Sequence, residues 1–456
     1  MSDPQLTAAG ETPALQDKLS PEARRGVFVV WFVIFLDLLG FGLILPSLAY
    51  YVDIFEMPAG VMESAATLGF TKVEAVFVGL LQTVFSLGQF VFAPLWGRLS
   101  DRVGRKPVLI VSMAGFVVSW LLFAFAPTLI FLLAARTLAG VFGANLSTAQ
   151  AYMADVFPPH KRAKGMGLIG MAFGMGFVLG PAIGAVLVSE PVIALFGRAP
   201  GTAEFRQMQH LLPSLFAAAL SFAALLLAVT KLKESLPPEK RAHPAQRLGQ
   251  LAELFAALRQ PAIGPMLVVQ FVAIAGFANL EAMFSEFNKD HLGLPQSTNM
   301  WVFTCVGVTL ALVQGGLIGR LTKRFGSPRV LLAGQLGLAA AMIVFGWQVQ
   351  LNPGLHPVLW VIVISIGIGF FNSLTNPSTL AIISTHARRA AQGGTMGFTA
   401  SAGTLGRIVG PLMGGVIYAK FGPQWPFGAG AALILIGTLV FVARWKTVAA
   451  APETKA

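Results

Sequence analysis

Apolar stretches of near-constant length alternate with short polar segments along this chain. Twelve such stretches lie at 26–50, 73–96, 107–126, 128–152, 165–188, 211–230, 263–286, 299–319, 329–349, 357–384, 395–419 and 425–445. A hydrocarbon core about 30 Å thick takes roughly 20 helical residues, so each stretch predicts one membrane-crossing helix. Gly and Pro interrupt several of them, which membrane helices tolerate when neighbours satisfy the freed backbone groups.

The longest polar interruption follows the sixth stretch. It opens with KLKESLPPEKRAHPAQR, polar and Pro-rich, and reads as a flexible linker. Leu248, Leu251, Leu254, Phe255 and Leu258 then recur at helical spacing beside Arg247, Glu253 and Arg259, which predicts a short amphipathic helix on the membrane face. The expected organisation is a tail at 1–25, a six-helix bundle at 26–230, a linker at 231–262, a second bundle at 263–445 and a tail at 446–456. The expected fold class is an all-α membrane protein, with twelve transmembrane helices in two pseudo-symmetric six-helix bundles.

An internal echo supports the two bundles. The cationic segment GRLSDRVGRK, Gly97 to Lys106, returns as GRLTKRFGSP from Gly319. Gly97, Arg98, Leu99, Arg102 and Gly104 find identical partners in Gly319, Arg320, Leu321, Arg324 and Gly326, an offset of 222. A second echo joins stretches five and eleven. Gly176, Gly180, Pro181 and Gly184 match Gly406, Gly410, Pro411 and Gly414 at an offset of 230. Spacing of four puts the glycines on one helix face, where a neighbouring backbone can approach closely. Static packing and a sliding seam between the halves both fit.

Composition agrees with a membrane setting: 55% of the 456 residues are hydrophobic and 11% charged, too little charge to cover a soluble surface. The formal charge of +12 does not indicate nucleic acid, because the basic residues are scattered through short loops. With both termini placed in the cytoplasm, cytoplasmic segments hold 25 of the 32 Lys and Arg. Lys72, Arg198, Arg206, Lys289 and Lys420 fall outside, and Arg136 and Arg407 within stretches. That bias follows the positive-inside rule. The single Cys305 excludes an internal disulfide and a thiol metal cage. No GxxxxGK[ST], GxSxG or HExxH occurs, and no His spacing suggests a metal. No cofactor, metal or enzymatic activity is expected.

Three segments carry a resemblance. GRLSDRVGRK resembles the signature loop of the major facilitator superfamily. GFVLGPAIGA resembles the fifth-span motif of its proton-driven exporters. DLLGFGLILPSLAYY is similar to the first span of tetracycline efflux pumps and related twelve-span drug:proton antiporters. The likeness runs from about Val27 to Arg444. It implies a substrate cavity at the bilayer midplane between two rocking halves, lined mainly by spans one, four, seven and ten.

Asp37 is the most informative residue. It lies about eleven positions into the first stretch, ~16 Å deep at ~1.5 Å per residue. A carboxylate there costs roughly 2.5–3.5 kcal/mol on insertion scales. Two roles fit: proton coupling, or a carboxyl fixed in a structural network. Arg136 is the other deep charge of the first half. LAARTLAG resembles the antiporters' fourth-span motif, whose Arg is implicated in proton transfer, although Ala139 replaces the usual Gln. An Asp37–Arg136 pair that opens and closes with protonation is expected. Arg407 needs a partner or water, with Glu281 as the candidate. Glu286 is expected at a solvated outer interface.

In the cationic segment, Asp101 is expected at a helix N-terminus, interacting with its dipole. Arg102, Arg105 and Lys106 are expected to pair with Asp155. The resemblance implies that Asp101 clamps the two halves, asymmetrically because Lys323 stands in the second copy. Gly97, Arg98 and Gly104 complete this expected gate. Gln82, Ser86 and Gln89 share one face of stretch two. Gln270, Phe277 and Glu281 share a face of stretch seven, and Asn372 and Asn376 one of stretch ten. Together with Arg407 they suit a lipophilic, partly polar molecule; helix–helix hydrogen bonds explain them equally. The expected protein is a monomeric, multi-pass transporter of a bacterial inner membrane. Its partners are the lipid bilayer, protons and a small amphiphilic compound exported in exchange. The alternative is a facilitator or symporter for a native metabolite.

Overall fold

The structure is a computed structural model that describes residues 20–158, 161–241, 258–352, 354–387 and 392–449. Twelve long helices dominate it. In the first half they are α1 (Pro21–Val52), α2 (Val73–Val103), α3 (Arg105–Ala124), α4 (Leu129–Val156), α5 (Arg162–Leu187) and α6 (Ala203–Lys231). In the second they are α7 (Ile263–Leu292), α8 (Gln296–Phe325), α9 (Ser327–Gly346), α10 (Pro357–His386), α11 (Gln392–Phe421) and α12 (Trp425–Ala443). Eleven are long and apolar enough to cross a membrane. α11 has the length as well, but Arg407, Lys420 and many glycines lower its mean hydropathy.

Helix ends follow local chemistry. Ser20 accepts from the Ala23 N–H at 3.1 Å with Pro21 opening α1, and Thr128 accepts from the Phe131 N–H at 3.2 Å to cap α4. Each is an N-cap side chain satisfying an orphan donor. The expected cationic turn is shorter than its sequence suggested. Gly97 to Val103 continue α2, because nothing before Gly104 breaks a helix. Gly104 alone makes the turn, at φ +110°, and Gly326 repeats it at φ +79°, a backbone region open chiefly to glycine.

Two crossing helices of the first half pass through an internal 3₁₀ turn, and α8 of the second half through a π turn at Val313–Leu317. α1 passes through a 3₁₀ turn at Leu45–Ser47 around Pro46. α4 does so at Gly143–Asn145. Within the first half α1 packs on α5 and α6, and α2 on α4; within the second α7 packs on α11 and α12, and α9 on α10. The halves meet along two seams, α2 with α11 and α5 with α8.

The glycine strips stand mainly within the halves. A Cβ at Gly180 would approach the Leu39 carbonyl of α1 within 2.7 Å, and one at Gly406 the Phe271 carbonyl of α7 within 2.8 Å. Gly176, Gly410 and Gly414 likewise face α1 or α7, and only Gly184 reaches across, to Met300. The seams use glycines that the echo did not single out: Gly79 against Pro411, Gly415 against Ala75, and Gly307 against Phe177. The strips therefore serve chiefly to seat α5 and α11 on the first helix of each half.

The predicted linker divides at Arg241. Residues 242–257, with most of the expected amphipathic helix, lie outside the described residues. Its first residues are not free. Glu234 accepts from the Arg105 N–H at 2.8 Å and the Lys106 N–H at 3.1 Å. Tyr152 donates to the Lys233 carbonyl at 3.1 Å, and Ser235 to Asp155 at 3.2 Å. The strap binds the end of α6 to α3 and α4.

Candidate functional site

The break in α4 positions the candidate proton site. It frees carbonyls that α2 and α3 satisfy: Gln89 donates to Gly143 at 3.1 Å, Trp96 to Val141 at 2.6 Å, and Ser112 to Phe142. Every freed group in a membrane interior needs such a partner. So held, the break turns Asn145 toward α1, where its amide donates to Asp37 Oδ2 at 3.1 Å. The other carboxyl oxygen, Oδ1, is buried and has no hydrogen-bond partner among the described residues. Sequence reasoning missed Asn145; its only signal was a neutral amide nine positions after Arg136 in the same crossing.

Arg136 does not pair with Asp37 in this conformation. Its guanidinium is 2% exposed, donates to the Leu81 carbonyl at 3.4 Å and lies 4.4 Å from the Phe85 ring centre. The aromatic face offers a cation–π site, which gives the charge a partner other than the expected carboxylate. Phe85 in turn stands 5.6 Å from Phe41, and Phe41 5.9 Å from Phe177. An aromatic ladder thus runs from Arg136 through α2 and α1 to α5. Gln82 is buried beside it with its amide nitrogen unpartnered, and Ser86 is buried too.

In the second half, Gln270 of α7 donates to Asn376 of α10 at 3.0 Å. Arg407 is exposed and Glu281 half-buried, and among the described residues no ion pair joins these expected partners. Phe277 and Asn372 are half-buried. Gln89, expected in the cavity, is committed to the α4 break.

The cationic segment forms a cluster inside the first half. Arg105 is the hub: it donates to Asp101 at 2.6 Å, Ser100 at 2.6 Å and Asp155 at 3.2 Å. Arg102 is exposed, and the Lys106 amine reaches the Val229 carbonyl at 3.3 Å, so of the three expected partners only Arg105 meets Asp155. Arg98 turns back to the Pro94 carbonyl at 3.2 Å. Asp101 lies in the last turn of α2, not at a helix N-terminus, because the helix runs on to Val103. The N-terminus of α3 is held instead by Glu234. The contacts described for Asp101 are within its own half.

Bonds between the halves gather at the end away from Gly104. Tyr50 donates to the Leu294 carbonyl at 2.7 Å, Asn299 to the Pro46 carbonyl at 3.1 Å, Gln296 to Ser47 at 2.9 Å, and Thr71 to the Ala419 carbonyl at 3.0 Å. Lys289 meets Asp53 at 2.9 Å, and Lys72 meets Asp290 at 3.0 Å. Burial works against the Lys72 charge, but Asp290, with Glu286 and Glu74 beside it, outweighs burial and holds the ammonium above the ordinary lysine value. Glu286, expected to be solvated, is 1% exposed and 3.0 Å from Lys289. Such contacts run down to Thr83 with Ile408 and Gly307 with Phe177. Nearer the Gly104 end, positions 167, 170 and 174 on α5 and 315, 316 and 319 on α8 have open space around them. The halves are closed at the far mouth and splayed at the Gly104 end.

Known proteins match along most of this length. The family profile described as Major Facilitator Superfamily matches residues 30–269 and 266–456. Major facilitator superfamily domain-containing protein 10 of Bos taurus is 30% identical over 462 residues, covering 93% of each chain. Tetracycline resistance protein, class C, of Escherichia coli is 28% identical over 430 residues, 91% of this chain and 96% of that protein. The crystal structure of the human organic anion transporter MFSD10 aligns with a TM-score of 0.65 at 27% identity, over 92% of this chain and 100% of that one. The nucleoside transporter NupG shares the fold, with a TM-score of 0.70 at 14% identity over 92% and 99% of the two chains. A transporter rather than an enzyme is therefore what this fold carries: the chain belongs to the Major Facilitator Superfamily.

Proposed function

We propose that this protein is a proton-coupled secondary transporter that exports a small amphiphilic compound by alternating access. The observation that carries this reading is the Asp37 carboxyl. One oxygen is held by Asn145 from a broken helix and the other, buried, has no partner among the described residues. An acid placed so, on the first helix of a half that must rock, can take a proton in one conformation and release it in the other. Arg136 stays within the same half, resting on Phe85, as a cation that the carboxylate can meet when the helices shift. The likeness to tetracycline resistance proteins supports export.

The substrate would sit between Asp37, Gln82 and the aromatic ladder on one side and Gln270, Glu281, Asn376 and Arg407 on the other. The same reading divides the chain into bundles at 26–230 and 263–445, acting as a monomer, and places the Gly104 end and both termini in the cytoplasm of a bacterial inner membrane. The excess of Lys and Arg in the segments at that end supports the orientation. A second reading, passage of an organic anion, is supported by the Arg136 guanidinium, which has no carboxylate bonded to it among the described residues, and by the human relative's description. Proteoliposomes with an imposed pH gradient test the proposal. Flux of an amphiphilic substrate should follow the gradient and lose that dependence in Asp37→Asn; flux that ignores the gradient in the parent protein refutes proton coupling.

A further inference from the structure

Among the bonds across the far mouth are two ion pairs that share one helical turn. α7 ends with Lys289 and Asp290 side by side, and their side chains part toward two different elements of the other half. Lys289 reaches Asp53, just beyond α1, at 2.9 Å. Asp290 reaches Lys72, at the start of α2, at 3.0 Å. Each arm is backed from the second half. Glu286 lies 3.0 Å from Lys289, and the Tyr418 hydroxyl donates to Asp290 at 3.2 Å. Lys289 also donates to the Ala49 carbonyl at 3.1 Å.

We propose that Lys289 and Asp290 form a two-armed ionic latch that holds the far mouth closed, so that the substrate-free protein rests open at the Gly104 end. The opposite signs of the arms fix the register of closure. If α7 shifted sideways, Lys289 would meet Lys72 and Asp290 would meet Asp53, and like charges would repel. The arms also have a defined breaking point. Glu286 is 1% exposed, and a buried carboxylate stripped of its cation is strongly disfavoured. Lys289 therefore stays with α7 on opening, and the contact that parts is the one to Asp53, which is 42% exposed and ready for water. Lys72, 50% exposed, releases Asp290 in the same way. Both arms are wet enough to open within a transport cycle and paired enough to bias its resting state.

A cysteine at position 296 reports the state of the mouth. Gln296 is 3% exposed and borders a cavity of about 450 Å³ at this end, between Tyr50 and Arg206. In full-length protein in nanodiscs, with Cys305→Ser as background, Gln296→Cys should react slowly with a membrane-impermeant maleimide. Adding Lys72→Glu or Asp290→Lys should speed labelling about fivefold, the effect of losing one partly exposed pair. Lys289→Gln should speed it about tenfold or more. Combining Lys72→Glu with Asp290→Lys restores a pair of reversed sign and should return the rate to within about twofold of the parent. That return separates a latch from a damaged fold, since a misfolded chain is not rescued by a second charge reversal. Single variants that leave labelling unchanged or slow it overturn the latch, as does a double variant that labels as fast as the faster single one.

Discussion

Glu234 allows a stability prediction whose size can be worked from contacts. Its carboxyl gathers four backbone N–H groups: Arg105 at 2.8 Å, Ser235 at 3.0 Å and Leu236 at 3.0 Å on Oε1, and Lys106 at 3.1 Å on Oε2. Two of these donors open α3, so the charge also faces the positive end of that helix. Loss of such a cap costs about 0.5–2 kcal/mol, and the charge–dipole contribution adds about 0.3–1 kcal/mol. Glu234→Gln keeps an oxygen for three of the donors and loses the charge and the Lys106 bond, so about 1 kcal/mol should go. Glu234→Ala loses all four bonds, and about 2–3 kcal/mol should go. Purified protein heated in steps and followed by size-exclusion fluorescence ranks the variants. The expected order is parent, then Gln, then Ala, with the cleavage of 232–241 by an added protease rising in the same order. Equal melting of Ala and parent would show that the strap contributes nothing and that the helix is capped well enough by water.

Other substitutions test neighbouring parts of the argument. Gly104→Ala places a side chain at φ +110° against the Glu234 carboxylate, and it should lower the melting midpoint more than Glu234→Ala does. Gly180→Leu should prevent α5 from seating on Leu39 and Gly42 and abolish a monodisperse elution profile, whereas Gly167→Leu, with open space around it, should elute normally. His210 is buried among Tyr51, Phe55 and Phe123 with Nε2 unpartnered. His210→Phe keeps the ring packing and removes the orphaned nitrogen, so it should stabilise by about 1 kcal/mol, read as a raised melting midpoint. Asn145→Leu removes the donor described for Asp37 and should weaken gradient-driven flux at least tenfold without changing expression; unchanged flux would detach the α4 break from coupling.

The helices were legible because a bilayer imposes a length and a composition that few other constraints imitate. The starts of α2, α7, α10 and α12 coincide with the expected positions. The end of α2, expected at 96 and found at Val103, was not legible, because GRLSDRV is as compatible with a helix as with a loop and only Gly104 decides. Asp37 and Arg136 stood out because a charge within an apolar run is costly; Asn145, which fixes the carboxyl, carries no charge and so left no such mark. Glu234 looked like one more charge in a Pro-rich linker, and Lys289 with Asp290 like an ordinary solvated loop. What their sequence could not carry is the other partner, which lies more than a hundred positions away in each case.

The two 3₁₀ breaks of the first half are satisfied in different ways, and the difference bears on how the halves can move. At the α4 break, the donors Gln89, Trp96 and Ser112 all belong to the first half. Those bonds survive any rigid rocking of one half against the other, so the α4 break keeps Asn145 beside Asp37 through the cycle. At the α1 break, the Pro46 carbonyl receives its bond from Asn299 and the Ser47 hydroxyl from Gln296, both in the second half. Rocking must pull these donors away. A carbonyl exposed in this way is costly in hydrocarbon and cheap in water, so the far mouth can part only as water enters it. Placing the fixed break at the acid and the separable break at the mouth lets one half carry a preformed proton site while its outer end changes partners.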